Sequence, residues 1–171
     1  LSYQGKVSFV SKRKIQRSIS SILSFTEICR MQGLRASSKT LRMDVIDANE
    51  EEISLMHLKP NAKILLLERL RFADNIPVTI ETSRLPEKFF FLLEEDLTDK
   101  SMYVILKKHG ITLTNSSKTL EIVFANFKDA KLLNVPKNHP LLCITGQVTD
   151  NNNQVHLSKQ LSVADKFKLF V

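Results

Sequence analysis

Two arginines, Arg69 and Arg71, stand two residues apart inside an otherwise apolar stretch that begins Ile64-Leu65-Leu66-Leu67-Glu68 and ends at Phe72. In a β-strand that spacing puts both side chains on one face. A guanidinium stays charged and offers a planar fork of donors matched to a phosphate or carboxylate, so the pair has the chemistry of an anion clamp. Solvated edge-strand arginines bridged to nearby glutamates have the same spacing. Two helix starts, Phe25-Thr26 and Ser101-x-Tyr103, add backbone N–H groups and hydroxyls suited to the same ligand, although a serine or threonine in such a place ordinarily caps its helix. Glu81 on the following strand either accepts hydroxyls from a polyol ligand or neutralises Arg69. His156, Ser158, Gln160 and Ser162 alternate along the last long strand, which makes them a polar pocket wall or the wet face of a sheet.

Catalytic signals are weak. His57, His109, His139 and His156 have no nucleophile or acid at a recognised spacing, and no HExxH, GxSxG or glycine-rich phosphate loop occurs. An enzyme is disfavoured, and no catalytic residue, metal ligand or cofactor is expected. The cysteines, Cys29 and Cys143, lie in apolar segments without CxxC or Cys/His spacing, so packed free thiols are expected, and with them a reducing, intracellular setting.

The elements that must hold these residues follow from punctuation and periodicity. Residues 11–22, charged and serine-rich, read as a linker running into a body that begins near Leu23. Ser24 and Glu27 have capping-box spacing, and Gly33 stops the short helix they open. A strand over 38–47 precedes a second helix, opened by Asn49 and three glutamates and lasting to Leu58. The arginine strand, 62–72, turns at Asp74-Asn75 and returns as 76–85. A three-residue loop, 74–76, sets Arg71 opposite Thr79 and Arg69 opposite Glu81. A two-residue loop would place Glu68 beside Glu81, so like-charge repulsion favours the longer one. Pro86 opens a helical stretch whose phenylalanines, Phe89 to Phe91, are core-packing residues. Asp99 is expected to cap a helix ending at Lys107-Lys108-His109-Gly110. Strands over 117–127, 141–149 and 154–171, the last broken near Asp165, and a short helix over 128–133 complete the chain. Strands joined by hairpins predict an α+β fold, a central antiparallel sheet with helices on one face.

With 171 residues and 43% hydrophobic content the chain can bury the core of one main domain. No apolar run reaches the roughly 20 residues that cross a bilayer, so a soluble cytoplasmic protein is expected, with no membrane partner. The net charge of +7 is uneven: residues 1–26 hold five basic residues and no acid, whereas the rest holds 20 basic against 18 acidic. The basic end suits nucleic-acid phosphates or a solvated linker.

These motifs, in order, resemble a known family. Ser24-Phe25-Thr26-Glu27 with Gly33, then Glu68-Arg69-Leu70-Arg71, Ile76-Pro77, Glu81, Leu85-Pro86, Ser101-Met102-Tyr103 with Leu106, Glu121, and Asp165-Lys166-Phe167 are similar to the UTRA effector-binding domain of GntR-type transcription regulators, HutC subfamily. Residues 23–171 carry the resemblance, and Gly5 to Val10 resembles the wing strand of a winged helix-turn-helix, so 1–22 read as a wing remnant plus linker. The resemblance implies a chorismate lyase-like fold, a homodimer, operator DNA bound through a winged-helix head outside this chain, and a small anionic effector, typically a sugar phosphate. It implies that Arg69, Arg71, Ser101, Thr26 and the Phe25 backbone hold the anion and that Tyr103 and Glu81 meet the rest of the ligand. Effector binding would order the Phe25-Thr26 helix start against the arginine strand and shift the linker and the DNA-binding heads. Where amino-sugar-phosphate binders have a glutamate and a tyrosine, this sequence has His156 and Ser162, which leaves the sugar unnamed. A chorismate lyase-like enzyme and a dimerisation module with a vestigial pocket are the alternatives.

Overall fold

The computed structural model describes residues 13–19 and 22–171. The wing-like stretch Gly5 to Val10 lies outside them. A six-stranded antiparallel sheet runs in the order β2-β3-β4-β7-β6-β5, formed by β2 (Ala36–Asp47), β3 (Lys63–Ala73), β4 (Ile76–Leu85), β5 (Leu113–Phe124), β6 (Pro140–Asp150) and β7 (Val155–Val163). The mixed α+β class with a central antiparallel sheet is the one the sequence predicts. The stretch read as linker carries a strand: β1 (Ile15–Ser18) pairs in parallel with β8 (Phe167–Phe170), with Ile15 opposite Phe167 and Arg17 opposite Leu169. The break before β8 is a single 3-10 turn, Ala164–Lys166.

Helices cover both faces of the sheet rather than one. Leu65 and Leu67 of β3 pack with Phe89 and Leu92 of a 3-10 helix (Glu87–Glu94) and with Ile105 and Leu106 of α3 (Met102–Lys108). Leu70, of opposite parity on the same strand, packs with Ala130 and Leu133 of α4 (Phe127–Leu133). Because β3 is apolar at both parities, both of its faces need a cover. A third cluster, Ile15, Phe25, Ile28, Cys29, Ala73, Val78 and Phe167, binds β1, β8 and α1 (Phe25–Met31) to the β3–β4 hairpin. Cys29 and Cys143 are free and buried, and burial pushes the Cys29 thiol up to about 11.

The hairpin reaches the expected register by a different route. Asp74 and Asn75 both have positive φ, 48° and 66°, and form a two-residue turn that sets Ala73 opposite Ile76. Such a turn matches strand twist and favours Asn and Asp, which tolerate the left-handed region. A bulge at Val78 then shifts the pairing by one residue, so that Arg71 lies opposite Thr79 and Arg69 opposite Glu81.

The helix starts differ from expectation in instructive ways. Ser24 and Glu27 form the capping box of α1, and Leu34 N–H reaching Cys29 O at 2.9 Å with Gly33 (φ 71°) closes its end as a Schellman motif. Asn49 and Glu52 cap α2 (Glu50–Met56) likewise, and the helix stops at His57 in the left-handed region rather than at Leu58. Asp99 caps nothing: its carboxylate accepts from the Ser38 N–H at 3.0 Å, and α3 starts three residues later. Strand β5 ends at Phe124, because Asn126 caps α4 by accepting from the Asp129 N–H at 2.8 Å.

Candidate functional site

Alternation along four adjacent strands brings one set of polar side chains to one face of the sheet. Arg69 and Arg71 on β3 lie opposite Glu81 and Thr79 on β4, these lie opposite Gln160 and Ser162 on β7, and Gln160 lies opposite Ile144 on β6. Ser24 and Phe25 at the start of α1, Ser101 to Tyr103 at the start of α3, and Arg17 of β1 close over this floor. The cavity, partly open to solvent, is about 50 Å³, enough for several waters or an anionic group when one water needs roughly 10–15 Å³.

Both arginines are almost fully buried, at 2% and 4% exposure. Arg69 Nη2 donates to Ser38 Oγ at 2.8 Å and to the carbonyls of Leu97 at 3.0 Å and Lys100 at 2.6 Å. The segment leading into α3 is therefore hung on Arg69. Arg71 Nη1 donates to Glu81 Oε1 at 3.2 Å, Nη2 donates to Thr26 Oγ1 at 3.1 Å, and the guanidinium carbon sits 4.7 Å from the centre of the Phe25 ring. Glu81 thus pairs with Arg71, diagonally across the ladder, instead of with Arg69 directly opposite. Burial would raise the Glu81 pKa, but Arg71, Arg69 and Arg17 outweigh it and hold the carboxyl below its ordinary value. Burial, with Arg71 adding like-charge repulsion, lowers Arg69 to about 10, so it remains a cation at neutral pH.

Four buried side-chain atoms lack a hydrogen-bond partner among the described residues: Arg69 Nε, Arg71 Nε, Ser101 Oγ and His156 Nδ1. All four belong to walls of this one cavity. Each such orphan ordinarily costs about 1–3 kcal/mol unless a water or a ligand partners it. Ser101 holds the N-cap position of α3 yet makes no capping bond. His156, 2% exposed and edge-on to Phe89 at 5.4 Å, is held neutral because burial lowers its pKa to about 4. Tyr103 is pushed up to about 12 by burial and by Glu81, which keeps its hydroxyl a donor.

Of the residues singled out in the sequence, Phe25, Arg69, Arg71, Glu81, Ser101, Tyr103 and His156 wall the cavity. Thr26 stands behind Arg71 as its acceptor, and Ser162 is spent on Thr79, with the two hydroxyls 2.9 Å apart. Ser162 is therefore a support of the floor rather than a wall. The sequence reading missed Arg17 and Lys118, both walls. Arg17 lay hidden in a serine-rich stretch whose strand is four residues long, too short for alternation to stand out. A larger open groove of about 660 Å³ on the opposite face, lined by Glu68, Arg84 and Lys159 among others, includes none of the four orphan atoms' residues. Among the described residues no cluster of His, Cys, Asp and Glu could hold a metal ion, and no helix is long and apolar enough to cross a membrane.

A cationic cavity on one face of an antiparallel sheet, closed over by two helix starts, defines a mixed α+β domain with a candidate anion site. The chain belongs to the UTRA domain family, whose model matches residues 31–168. It is similar to the HTH-type transcriptional repressor NagR of Bacillus subtilis, 28% identical over 82% of this chain and 58% of that protein. It is also similar to a probable fructoselysine utilization operon transcriptional repressor of Escherichia coli strain K12, 24% identical over 99% of this chain and 70% of that one. In fold it matches the crystal structure of PhnF from Mycobacterium smegmatis, with a TM-score of 0.86 at 24% identity, covering 92% of this chain and 70% of that chain. The chain spans about three fifths of the length of the first curated relatives it matches.

Proposed function

We propose that this chain is the effector-binding domain of a GntR-type, HutC-subfamily transcriptional regulator. Its cavity takes a small phosphorylated metabolite, a sugar phosphate in the first instance. The single observation that carries the reading is the convergence of Arg69 Nε, Arg71 Nε, Ser101 Oγ and His156 Nδ1, all unpartnered, on one cationic cavity. Arg69, Arg71 and Ser101 hold the anion, while Glu81, Tyr103 and His156 meet hydroxyls on the rest of the ligand. Phe25 and Thr26 steady Arg71, and Ser162 steadies the floor through Thr79. The repressor names of the relatives favour a regulator over an enzyme, and the fructoselysine repressor supports a sugar derivative as the class of effector. Operator DNA would be bound by a winged-helix head on the amino-terminal side, in a homodimer at work in the cytoplasm. The exposed apolar side chains Leu120, Ile122 and Phe124, on one face of edge strand β5, support a second subunit.

Thermal unfolding against sugar phosphates, their unphosphorylated parents and inorganic phosphate tests this reading. A ligand at 100 times its Kd adds about 2.7 kcal/mol, a shift of several degrees. Ser101→Ala is the informative variant, because it removes a hydroxyl that bonds no other group among the described residues. Its ligand-free Tm should stay level or rise, while stabilisation by phosphate compounds falls. A domain that ignores every phosphorylated compound and inorganic phosphate alike would sink the proposal.

A further inference from the structure

Resting on the anion site just proposed, we infer that His156 and Ser158 form an uncharged subsite at the end of the cavity remote from the arginines, so that the preferred effector is a phosphate ester of a neutral sugar or polyol whose far end is a hydroxyl. The strand ladder fixes the order of the walls. Arg69, Glu81 and Gln160 share one row of the floor, Ser83 and Ser158 share the next row on the same face, and His156 lies beyond them opposite Val148. His156 is four residues along β7 from Gln160, about 13 Å at 3.2–3.4 Å per residue. When the arginines hold the phosphate, the ring meets the other end of the ligand. Gly146, directly across the ladder from Ser158, keeps that end open: a Cβ there would fall 3.0 Å from Ser158 Oγ.

The unpaired atom at this end says what the subsite takes. His156 Nδ1 is buried without a partner among the described residues, in a side chain that packs against Phe89 and lies opposite the buried Val148. The ionised groups that bear on the ring are Asp150 and Lys88, and they answer each other. Lys88 Nζ donates to Asp150 Oδ2 at 2.7 Å, while Asp150 Oδ1 accepts the N–H groups of Asn152 and Gln154 at 2.8 and 3.1 Å. Burial, opposed by Asp150 and aided by Lys88, keeps the imidazole neutral. Lys118, in the same row as Ser158, donates to Ile19 O at 3.1 Å. A carboxylate or an ammonium brought against the ring therefore loses its water and gains no opposite charge there. A hydroxyl loses far less, and because it both donates and accepts it satisfies Nδ1 in either tautomer, with Ser158 Oγ as a neighbouring partner. The four unpaired atoms thus divide by charge: Arg69 Nε, Arg71 Nε and Ser101 Oγ suit the phosphate, and His156 Nδ1 suits a neutral end.

The test varies only the group at the far end. Glucitol 6-phosphate, 6-phosphogluconate and 1-amino-1-deoxyglucitol 6-phosphate carry one six-carbon chain that ends in a hydroxyl, a carboxylate or an ammonium, and the corresponding set derived from mannose covers a second configuration. Calorimetric titration of the chain should find, in at least one set, the hydroxyl member bound about tenfold or more tightly than either charged member, the discrimination expected of an uncompensated buried charge. In His156→Leu the hydroxyl member should lose about fivefold, the size of one hydrogen bond, and its margin over the charged members should shrink. His156→Gln, whose amide both donates and accepts, should recover most of that loss, which a merely packed ring would not predict. Stabilisation by inorganic phosphate, which meets only the arginine end, reads whether each variant is folded. A charged member bound as tightly as the hydroxyl member in both sets, a hydroxyl member indifferent to His156→Leu, or six-carbon esters bound no better than inorganic phosphate overturns the neutral subsite and leaves the anion site standing. Failure of inorganic phosphate itself to stabilise the wild-type chain would instead remove the anion site on which both proposals rest.

Discussion

Ser101 and His156 separate a site built for an occupant from a satisfied core. His156 is buried and Ser101 half-buried, and each has a buried polar atom with no partner among the described residues; only the histidine titrates. His156 is the clearer case. Its pKa falls from 6.5 in the unfolded chain to about 4 in the fold, with burial as the cause, Asp150 opposing it and Lys88 adding to it. Above pH 6.5 both states hold a neutral ring; between about 6.5 and 4 the unfolded chain takes up a proton that the fold refuses. Stability is therefore lost as pH falls through that window, by about 3 kcal/mol. The carboxyls held below their ordinary values, Glu81, Asp150 and Asp165, lose their contributions at lower pH. Tm measured from pH 7.5 to 4.5 should fall for wild type and stay much flatter for His156→Gln. Equal slopes would place the histidine in wetter surroundings. At this scale the sequence was legible where residue type carries the meaning: two arginines two apart in an apolar strand admit few uses. It was illegible for Arg17, whose role depends on a partner strand 150 residues away.

The site is held by short elements with explicit ends, and those ends are its mechanical supports. Ser24 caps α1 through the Glu27 N–H at 3.2 Å, with Glu27 Oε2 accepting the Ser24 N–H at 3.0 Å. Phe25 and Thr26, which orient Arg71, are the next two residues. Ser24→Ala should cost about 1 kcal/mol of stability and weaken phosphate binding as well, whereas Ser24→Thr should restore both. A loss of stability with unchanged phosphate affinity would show that Arg71 is oriented without the helix. Capping spacing was readable because it is local. The hairpin was readable only in part: charge repulsion between Glu68 and Glu81 correctly excluded one register, but the one-residue shift is made by a bulge at Val78 rather than by a longer loop. A bulge depends on how a strand packs, and Val78 is buried against α1 and β8. Asp99 illustrates the converse, since a residue typed for a helix cap is drawn away to Ser38 by a tertiary contact.

For the whole molecule, the consequential feature is that the cavity is closed in part by the amino-terminal segment. Strand β1 is held from several sides: its ladder with β8, Ile15 in the cluster with Phe25 and Phe167, Gln16 N–H donating to Gln32 Oε1 at 2.7 Å, and Arg17 across the cavity to Gln160. Strand β1 is four residues long and pairs only with β8, outside the six-stranded sheet, so a ligand at the cavity can bias it more readily than the long central strands. An anion that engages Arg17 adds a contact to β1 in the bound state and none in the detached state, which is the differential interaction a population shift requires. Amide hydrogen exchange of residues 15–18 and 167–170 should therefore slow on adding a sugar phosphate that stabilises the domain, with strands β6 and β7 changing little. In Arg17→Gln the ligand-induced slowing at 15–18 should disappear even where binding persists. If β1 exchanged at one rate with and without a ligand that demonstrably stabilises the domain, occupancy would have to reach the amino-terminal side through α1, whose cap and first turn also border the cavity, and Ser24→Ala rather than Arg17→Gln would be the variant that uncouples them.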